Sequence, residues 1–415
     1  MTFQLAELPI FLLLGGILLV SLVCRRAAGI VGQPQVVGEI LAGLAVGLLL
    51  AHSAATGDAA AAGSTRSLSR SISLLGDFGL VFMVVNALFQ DHVGKALTVT
   101  RDRTVLVVTA ANIVPAALCA AWLGFNYADS HAIESKSAFV LLIGVAASIS
   151  AVPVLARMLD ELKLAGTRIG SLSFRAACWT DMLAWVAVAV ALSLHGKGDP
   201  LTAGSTRLAA AAALIVALLG IRALMRKRLA RSPQAASQVL LVTVLLSAGI
   251  THLAGLHLVF GAFLVGTVFA SERELVRQWL AQTTWLAERL LSPLFFVVSG
   301  MNLATAGSIA VAEAGWGAAF LAICVVTKLV PLFITGRALG YSRQDSSLLA
   351  VLLNTRGLME LVILSVGLNA GIFSPVQYSI FVMVAIITTV ISMPLCRMVM
   401  RRDPDAKLSG AVQHP

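Results

Sequence analysis

The chain has 415 residues, 58% of them hydrophobic and 12% charged, with a net charge of +10 and a mean hydropathy of +0.91. A water-soluble domain carries about 25% charged residues, so this composition excludes a soluble globular protein and describes one embedded in lipid. The basic excess is spread over short loops rather than gathered in a patch, which excludes a nucleic-acid binder, and five scattered cysteines (Cys24, Cys119, Cys178, Cys324 and Cys396) with no CxxC pair suggest neither a disulfide framework nor a metal cluster.

Thirteen apolar segments have about the length needed to cross a hydrocarbon core roughly 30 Å thick. They are centred on 7–23, 33–51, 71–90, 104–124, 137–158, 169–193, 206–224, 236–252, 256–271, 288–306, 314–336, 346–371 and 376–398. No basic region followed by a small-residue cleavage site precedes the first, so it reads as a retained span. The run 361–396 is too long for one crossing and is divided at "GIFSP" (371–375).

The loops after spans one, three, five, seven, nine and eleven, together with the C-terminal end, hold 22 of the 30 lysines and arginines. The opposite loops hold only Arg66, Arg70, Lys136, Lys197 and Arg207. The positive-inside rule therefore places the N-terminus outside and the C-terminus in the cytoplasm of a cell (inner) membrane. Residues 1–400 are expected to form a single transmembrane domain and 401–415 a short cytoplasmic tail. Regulation by a nucleotide-binding domain would then need a separate chain.

Seven ionisable groups remain at membrane depth: Glu39, Asp77, Asp181 and Glu360 against Arg175, Lys328 and Arg356. Each costs roughly 2.5–3.5 kcal/mol at a helix centre on translocon scales, so each should be paired or face water. Arg175 lies six residues from Asp181 and so falls on roughly the opposite side of the helix, lining an entrance or snorkelling. His252 and His257 lie near span ends without metal-ligand spacing.

Two spans are poor continuous helices. In "GVAASISAVPVLARML" (144–159), Pro153 sits in the interior, where it removes a backbone donor, and Ser148 and Ser150 flank it. In "LLNTRGLMEL" (352–361), Asn354, Thr355, Arg356 and Gly357 stand where a lipid-facing helix would carry leucines. Non-helical backbone at this depth is tolerated only when buried in protein or lining a wet cavity. Both breaks fall in the fourth span of a five-span block, and interrupted helices at matching positions of two halves point to a secondary transporter's site. The expected fold is an all-α polytopic membrane protein of about 13 transmembrane helices. It is built as inverted five-helix repeats, roughly 30–195 and 255–398, with two discontinuous helices.

Five strings in order carry a resemblance: "GQPQVVGEILAGLAVG" (32–47), "SISAVPVLARMLDELKL" (148–164), "PLFFVVSGMNL" (293–303), "TKLV" (327–330) and "NTRGLMELVIL" (354–364). With them the chain resembles the monovalent cation:proton antiporter superfamily, in its branch of bacterial Kef-type potassium or sodium exchangers and plant cation/proton exchangers. The resemblance implies a Na+/H+ antiporter-like fold, no cofactor, and a homodimer in membrane lipid joined through the early spans and spans seven to nine. It aligns Asp181 of "WTDMLAW" (179–185) with the family's ion-carrying aspartate. Where many members have a second aspartate or an asparagine, this chain has Thr180, which favours electroneutral exchange. Lys328 aligns with the family's lysine opposite the aspartate, and Arg356 and Glu360 with the charged pair of the interrupted twelfth span.

These residues imply a secondary antiporter that exchanges Na+ or K+ for H+ by alternating access. Asp181 and Thr180 would bind the monovalent cation or proton, and Lys328, Arg356 and Glu360 would balance charge. Ser148, Ser150, Pro153, Asn354 and Thr355 would line the site. Burial disfavours the charged form of a carboxylate and a nearby ammonium favours it, so one such group can hold a proton or a cation in turn, with Thr180 and backbone carbonyls at the breaks as further oxygen ligands. Blander readings stay open. Asp181 could simply neutralise Lys328, and Arg356 and Glu360 could form an intrahelical pair. Thr180 could bond the preceding turn, and Ser148, Ser150 and Asn354 could satisfy freed backbone groups. The functional alternatives are a sodium-coupled organic-anion symporter on the same fold and a non-transporting sensor or channel subunit. No nucleophile–base or metal constellation suggests an enzyme.

Overall fold

The structure is a computed structural model describing residues 3–56, 59–89, 102–131, 133–195, 200–229, 233–254, 258–304 and 311–401. His257, Lys197 and the expected tail beyond Arg401 lie outside these residues. Every regular element among them is helical. The first helices are α1 (Phe3–Ile30), α2 (Gln35–Thr56), α3 (Ala59–Phe89), α4 (Arg103–Ser130), α5 (Lys136–Ser148), α6 (Val152–Glu161), α7 (Arg168–His195) and α8 (Pro200–Leu229). They are followed by α9 (Pro233–Leu253), α10 (Leu258–Phe269), α11 (Arg273–Leu286), a π-helical turn (Ala287–Leu291), α12 (Ser292–Ala304), α13 (Val311–Ala338), α14 (Arg343–Leu353), α15 (Leu358–Asn369) and α16 (Pro375–Arg401).

Each of the thirteen expected segments overlaps a helix or a pair of helices, yet only nine helical stretches among the described residues are long and apolar enough to cross a membrane. The difference has local causes. Four segments fall outside that count: the fifth and twelfth are each two short helices, the ninth is the 12-residue α10, and the third is the C-terminal part of α3, whose 31 residues include Arg66, Arg70 and Asp77. The tenth begins earlier than expected: Arg273 and Arg277, read as loop residues, lie in α11, an amphipathic helix that buries Leu275, Val276, Trp279 and Thr283.

The residues divide into two compact units. One comprises Met1–Gln90, Ile215–His252 and Gly261–Gly307; the other comprises Asp91–Leu214, Leu253–Phe260 and Ser308–Pro415. Within the first, α2 packs against α12 at very short range because glycines remove the side chains between them. A Cβ built at Gly47 would lie 2.7 Å from the Cα of Gly300 and 2.6 Å from the amide nitrogen of Met301. Small residues are what allow helices to associate closely where no water drives them together. Gly47→Val is therefore expected to cost about 1–3 kcal/mol through overpacking, read as a lower unfolding temperature in detergent. Gly220→Val, where nothing lies within 4 Å of the added carbon, should leave that temperature unchanged.

The second unit contains both broken segments. The break between α5 and α6 lies at Ile149–Ala151, where Ile149 has ψ 148° and Ala151 ψ 100°. Pro153 is thus not in a helix interior, as the sequence suggested, but in the first turn of α6, where its missing N–H would have had no intrahelical partner. Between α14 and α15, residues 354–357 leave the helix, and Gly357 takes φ 157° and ψ −135°. A side chain there would be strained, and its Cβ would approach Val154 Cγ2 to 2.6 Å.

Candidate functional site

The two breaks meet. The Ala151 N–H donates to Thr355 O at 3.0 Å, joining them backbone to backbone. Around that joint two cations attend the C-terminal ends of half-helices. Lys328, on α13, donates from Nζ to Ile149 O, to Ser150 Oγ at 2.9 Å and to Leu353 O at 3.1 Å, so it caps α5 and α14 together. Arg356 donates from one guanidinium nitrogen to Ala146 O and from the other to Ala147 O at 2.7 Å, satisfying the last turn of α5. Both are fully buried. The negative ends of helix dipoles and their orphan carbonyls are where buried cations are least costly.

The acids take the opposite ends. Glu360 lies in the first turn of α15 and pairs with Arg356, both side chains at 0% exposure. This is not the intrahelical pair considered from the sequence, because Arg356 precedes α15 and the bond spans the break. Asp181, buried on α7, faces the amide of Val152, the first residue of α6. Its Oδ1 has no hydrogen-bond partner among the described residues. Lys328 and Asp181 form no ion pair, since the ammonium is directed at Ile149 O, Ser150 Oγ and Leu353 O.

The remaining predicted residues divide by what they touch. Thr180 Oγ donates to Ala176 O at 2.9 Å, the back-bond foreseen, and also accepts from Asn112 Nδ2 at 3.0 Å. Ser150 bridges the breaks, donating to Leu353 O at 2.5 Å and accepting from Lys328. The hydroxyls of Ser148 and Thr355 bond within their own turns, to Val145 O and Leu352 O. Asn354 is buried with its Oδ1 unpartnered. Four of the backbone carbonyls at the breaks already accept from side chains: Ile149 O from Lys328, Leu353 O from Lys328 and Ser150, and Ala146 O and Ala147 O from Arg356.

Such a crossing of two interrupted helices beside a buried aspartate accompanies a family match over most of the chain: the family described as "Sodium/hydrogen exchanger, transmembrane" matches residues 15–399. The chain belongs to the sodium/hydrogen exchanger family. This exchanger is 32% identical over 386 residues to the Na(+)/H(+) antiporter NhaS4 of Synechocystis, covering 88% of this chain and 90% of that one. It is 30% identical to cation/H(+) antiporter 18 of Arabidopsis thaliana, covering 92% of this chain and 48% of the relative. To K(+)/H(+) antiporter 1 of Saccharomyces cerevisiae it is 27% identical, covering 97% of this chain and 47% of the relative. The exchanger thus spans about half the length of those last two relatives. The solved structure of the sodium proton antiporter MjNhaP1 from Methanocaldococcus jannaschii shares its fold, with a TM-score of 0.64 at 13% identity over 98% of this chain and 100% of the other. The family and these relatives are transporters, not enzymes.

The exchanger's other membrane-depth charges are tied into structure. Glu39 pairs with Arg25 at 2.6 Å and lies 3.4 Å from Ser292 Oγ, in the first unit. Arg175 pairs at 3.1 Å with Asp102, the residue that caps α4 by accepting from the Thr104 N–H. Arg25 and Asp102 lie just beyond the apolar segments 7–23 and 104–124, so hydropathy alone pairs neither of them with a membrane-depth charge. Asp77 is half-buried. Asn112, a lone amide in the apolar fourth span, was also missed; its isolation among uncharged residues was the one available signal.

Proposed function

We propose that this exchanger is a secondary active antiporter of the cell membrane that exchanges Na+ or K+ for H+ one for one, without moving net charge. The observation that supports this most is the state of Asp181. Glu39, Glu360 and Asp102 each have an arginine partner, whereas Asp181 is buried with no ion-pair partner among the described residues and with its Oδ1 unmatched. A carboxylate kept this way is able to take a proton or a cation, and arrival of either displaces the other. Lys328 and Arg356 contribute by stabilising the half-helix ends that shape the site. A bare ionised site resists crossing, because an unpaired charge would enter low dielectric. Protonated or cation-loaded, it is exposed to each side in turn by movement of one helix bundle against another.

Thr180 beside Asp181 adds a hydroxyl but no second charge, which supports electroneutral exchange. The N-terminus is placed outside and the C-terminus in the cytoplasm, in a lipid-embedded homodimer whose transmembrane domain spans 1–400. The organic-anion symporter finds no favouring observation: Lys328 and Arg356, the buried cations at the breaks that would hold a substrate carboxylate, are engaged by backbone carbonyls. Proteoliposomes with an internal pH dye should acidify or alkalinise in response to Na+ or K+ gradients. A potassium-selective ionophore that clamps the voltage should leave the rate unchanged. Absence of cation-driven proton flux would refute exchange, and strong dependence on the clamp would refute one-for-one stoichiometry.

A further inference from the structure

Asn112 stands at the middle of the polar crossing with its side chain fully enclosed. Its Nδ2 donates to Thr180 Oγ at 3.0 Å and to Ser150 Oγ at 3.1 Å, and lies 3.5 Å from Ser148 O. These partners decide which way the amide points. Thr180 gives its hydroxyl proton to Ala176 O, Ser150 gives its own to Leu353 O, and Ser148 O can only accept. All three present lone pairs, so the NH2 end faces them and the carbonyl end is turned away. Asn112 Oδ1 is consequently a buried acceptor that no donor among the described residues reaches. A buried oxygen in that state is costly and calls for an explanation.

The same state is found at Asp181 Oδ1, one residue along α7 from the threonine that Asn112 holds. The carbonyls of Ala146, Ala147, Ile149 and Leu353 already accept from Lys328, Arg356 and Ser150, whereas a hard cation asks for several oxygen ligands and the Asn112 amide oxygen has no competing donor among the described residues. Resting on the exchange reading above, we infer that Asn112 Oδ1 is a neutral ligand of the transported alkali cation and helps set which cation is preferred. The carboxylate supplies the charge for which proton and cation compete. The amide supplies an oxygen of fixed position that a proton has no use for.

The test measures Na+, K+ and Li+ concentration series in proteoliposomes for wild type, Asn112→Ala and Asn112→Asp. Alanine is expected to raise KM for the preferred cation roughly tenfold, about 1.4 kcal/mol of binding, and to alter the order of preference among the three ions, with a smaller change in maximal rate. Aspartate keeps the ligand oxygen but sets its second oxygen against the lone pairs of Thr180, Ser150 and Ser148, so it should lower the maximal rate while holding KM closer to wild type than alanine does. Asn112→Ser, whose hydroxyl is too short to reach the same point, supplies the first comparison if the alanine protein does not accumulate. Unchanged KM and ion order in the alanine or serine variant would overturn the inference. So would equal loss of maximal rate in the truncated and aspartate variants at constant KM, the result of a clamp that only positions Thr180. A wild-type protein without cation-driven proton flux would remove the exchange reading itself; normal wild-type flux with unaltered variant affinities would remove this inference alone.

Discussion

Asp181→Asn is expected to reduce cation-driven proton flux to that of protein-free vesicles while the protein stays folded and melts at or above the wild-type temperature. The two halves of this result have separate causes. An amide of the same shape neither releases a proton nor offers the negative charge that an alkali ion must find after shedding water, so both substrates lose their site together. Stability moves the other way because Asp181 is buried without an ion-pair partner, its Oδ1 unmatched and Lys328 directed at Ile149, Ser150 and Leu353. Removing a buried charge that nothing pairs is neutral or favourable. A structural aspartate kept to neutralise Lys328 would behave differently: its loss would strand a buried ammonium and lower the unfolding temperature with it. Flux and thermal unfolding measured on one preparation separate these cases. Substantial residual flux, or a marked fall in unfolding temperature, contradicts the role given to Asp181.

Arg356→Ala should produce the largest loss of stability of any single change near the breaks. The guanidinium meets Ala146 O, Ala147 O and Glu360 at once, and neither charged side chain reaches solvent. Removing one member of a buried pair typically costs about 3–5 kcal/mol because the other is left uncompensated; here the last-turn carbonyls of α5 lose their donors as well. Arg356→Lys should rescue little, since a single ammonium lacks the planar fork that reaches two carbonyls and a carboxylate together. The double variant Arg356→Ala/Glu360→Ala should be less damaged than the sum of its parts, by a coupling of about 0.5–3 kcal/mol. Chemical unfolding in detergent micelles of wild type, Arg356→Ala, Arg356→Lys, Glu360→Ala and the double variant measures these differences. Additive single effects would show that the two side chains do not act as a pair.

Much of the fold was legible because its strongest signals are local. Uninterrupted apolar length located α1, α2, α4, α7 and α16, and Asn354 to Gly357 marked the break before α15 in a stretch that otherwise reads as leucine-rich. The break before α6 was legible only in part. Pro153 announced it, but a proline that interrupts a helix and one that begins a helix look alike in a string, and the structure realises the second. The span count was less legible still, since a 12-residue helix such as α10 and an amphipathic helix continuing into a crossing, as α11 does, fit no fixed window.

At the site, the acids and bases were found by their cost in lipid, but their partners were not. Lys328 caps carbonyls 179 and 25 positions away in the chain, and Arg356 reaches back 210, contacts that only the crossing of the two breaks creates. Arg25 and Asp102 escaped notice for a different reason. Hydropathy assigns residues at span ends to loops, while long side chains and helix caps fold back to meet Glu39 and Arg175. Asn112 escaped because an uncharged amide hardly disturbs a hydropathy profile, although its hydrogen bonds tie α4 to both Thr180 and Ser150.

The most direct measurement of mutual exclusion at Asp181 is the number of protons released when the purified protein binds its cation, obtained by calorimetric titration in buffers of different ionisation enthalpy. Near the pH at which the carboxylate is half protonated, binding that competes with a proton must release it, and the apparent affinity must weaken about tenfold for each pH unit below that point. The expected result is release that approaches one proton per cation at lower pH in wild type and no cation binding in Asp181→Asn. Cation binding that releases no proton at any pH, with an affinity indifferent to acidity, would contradict it.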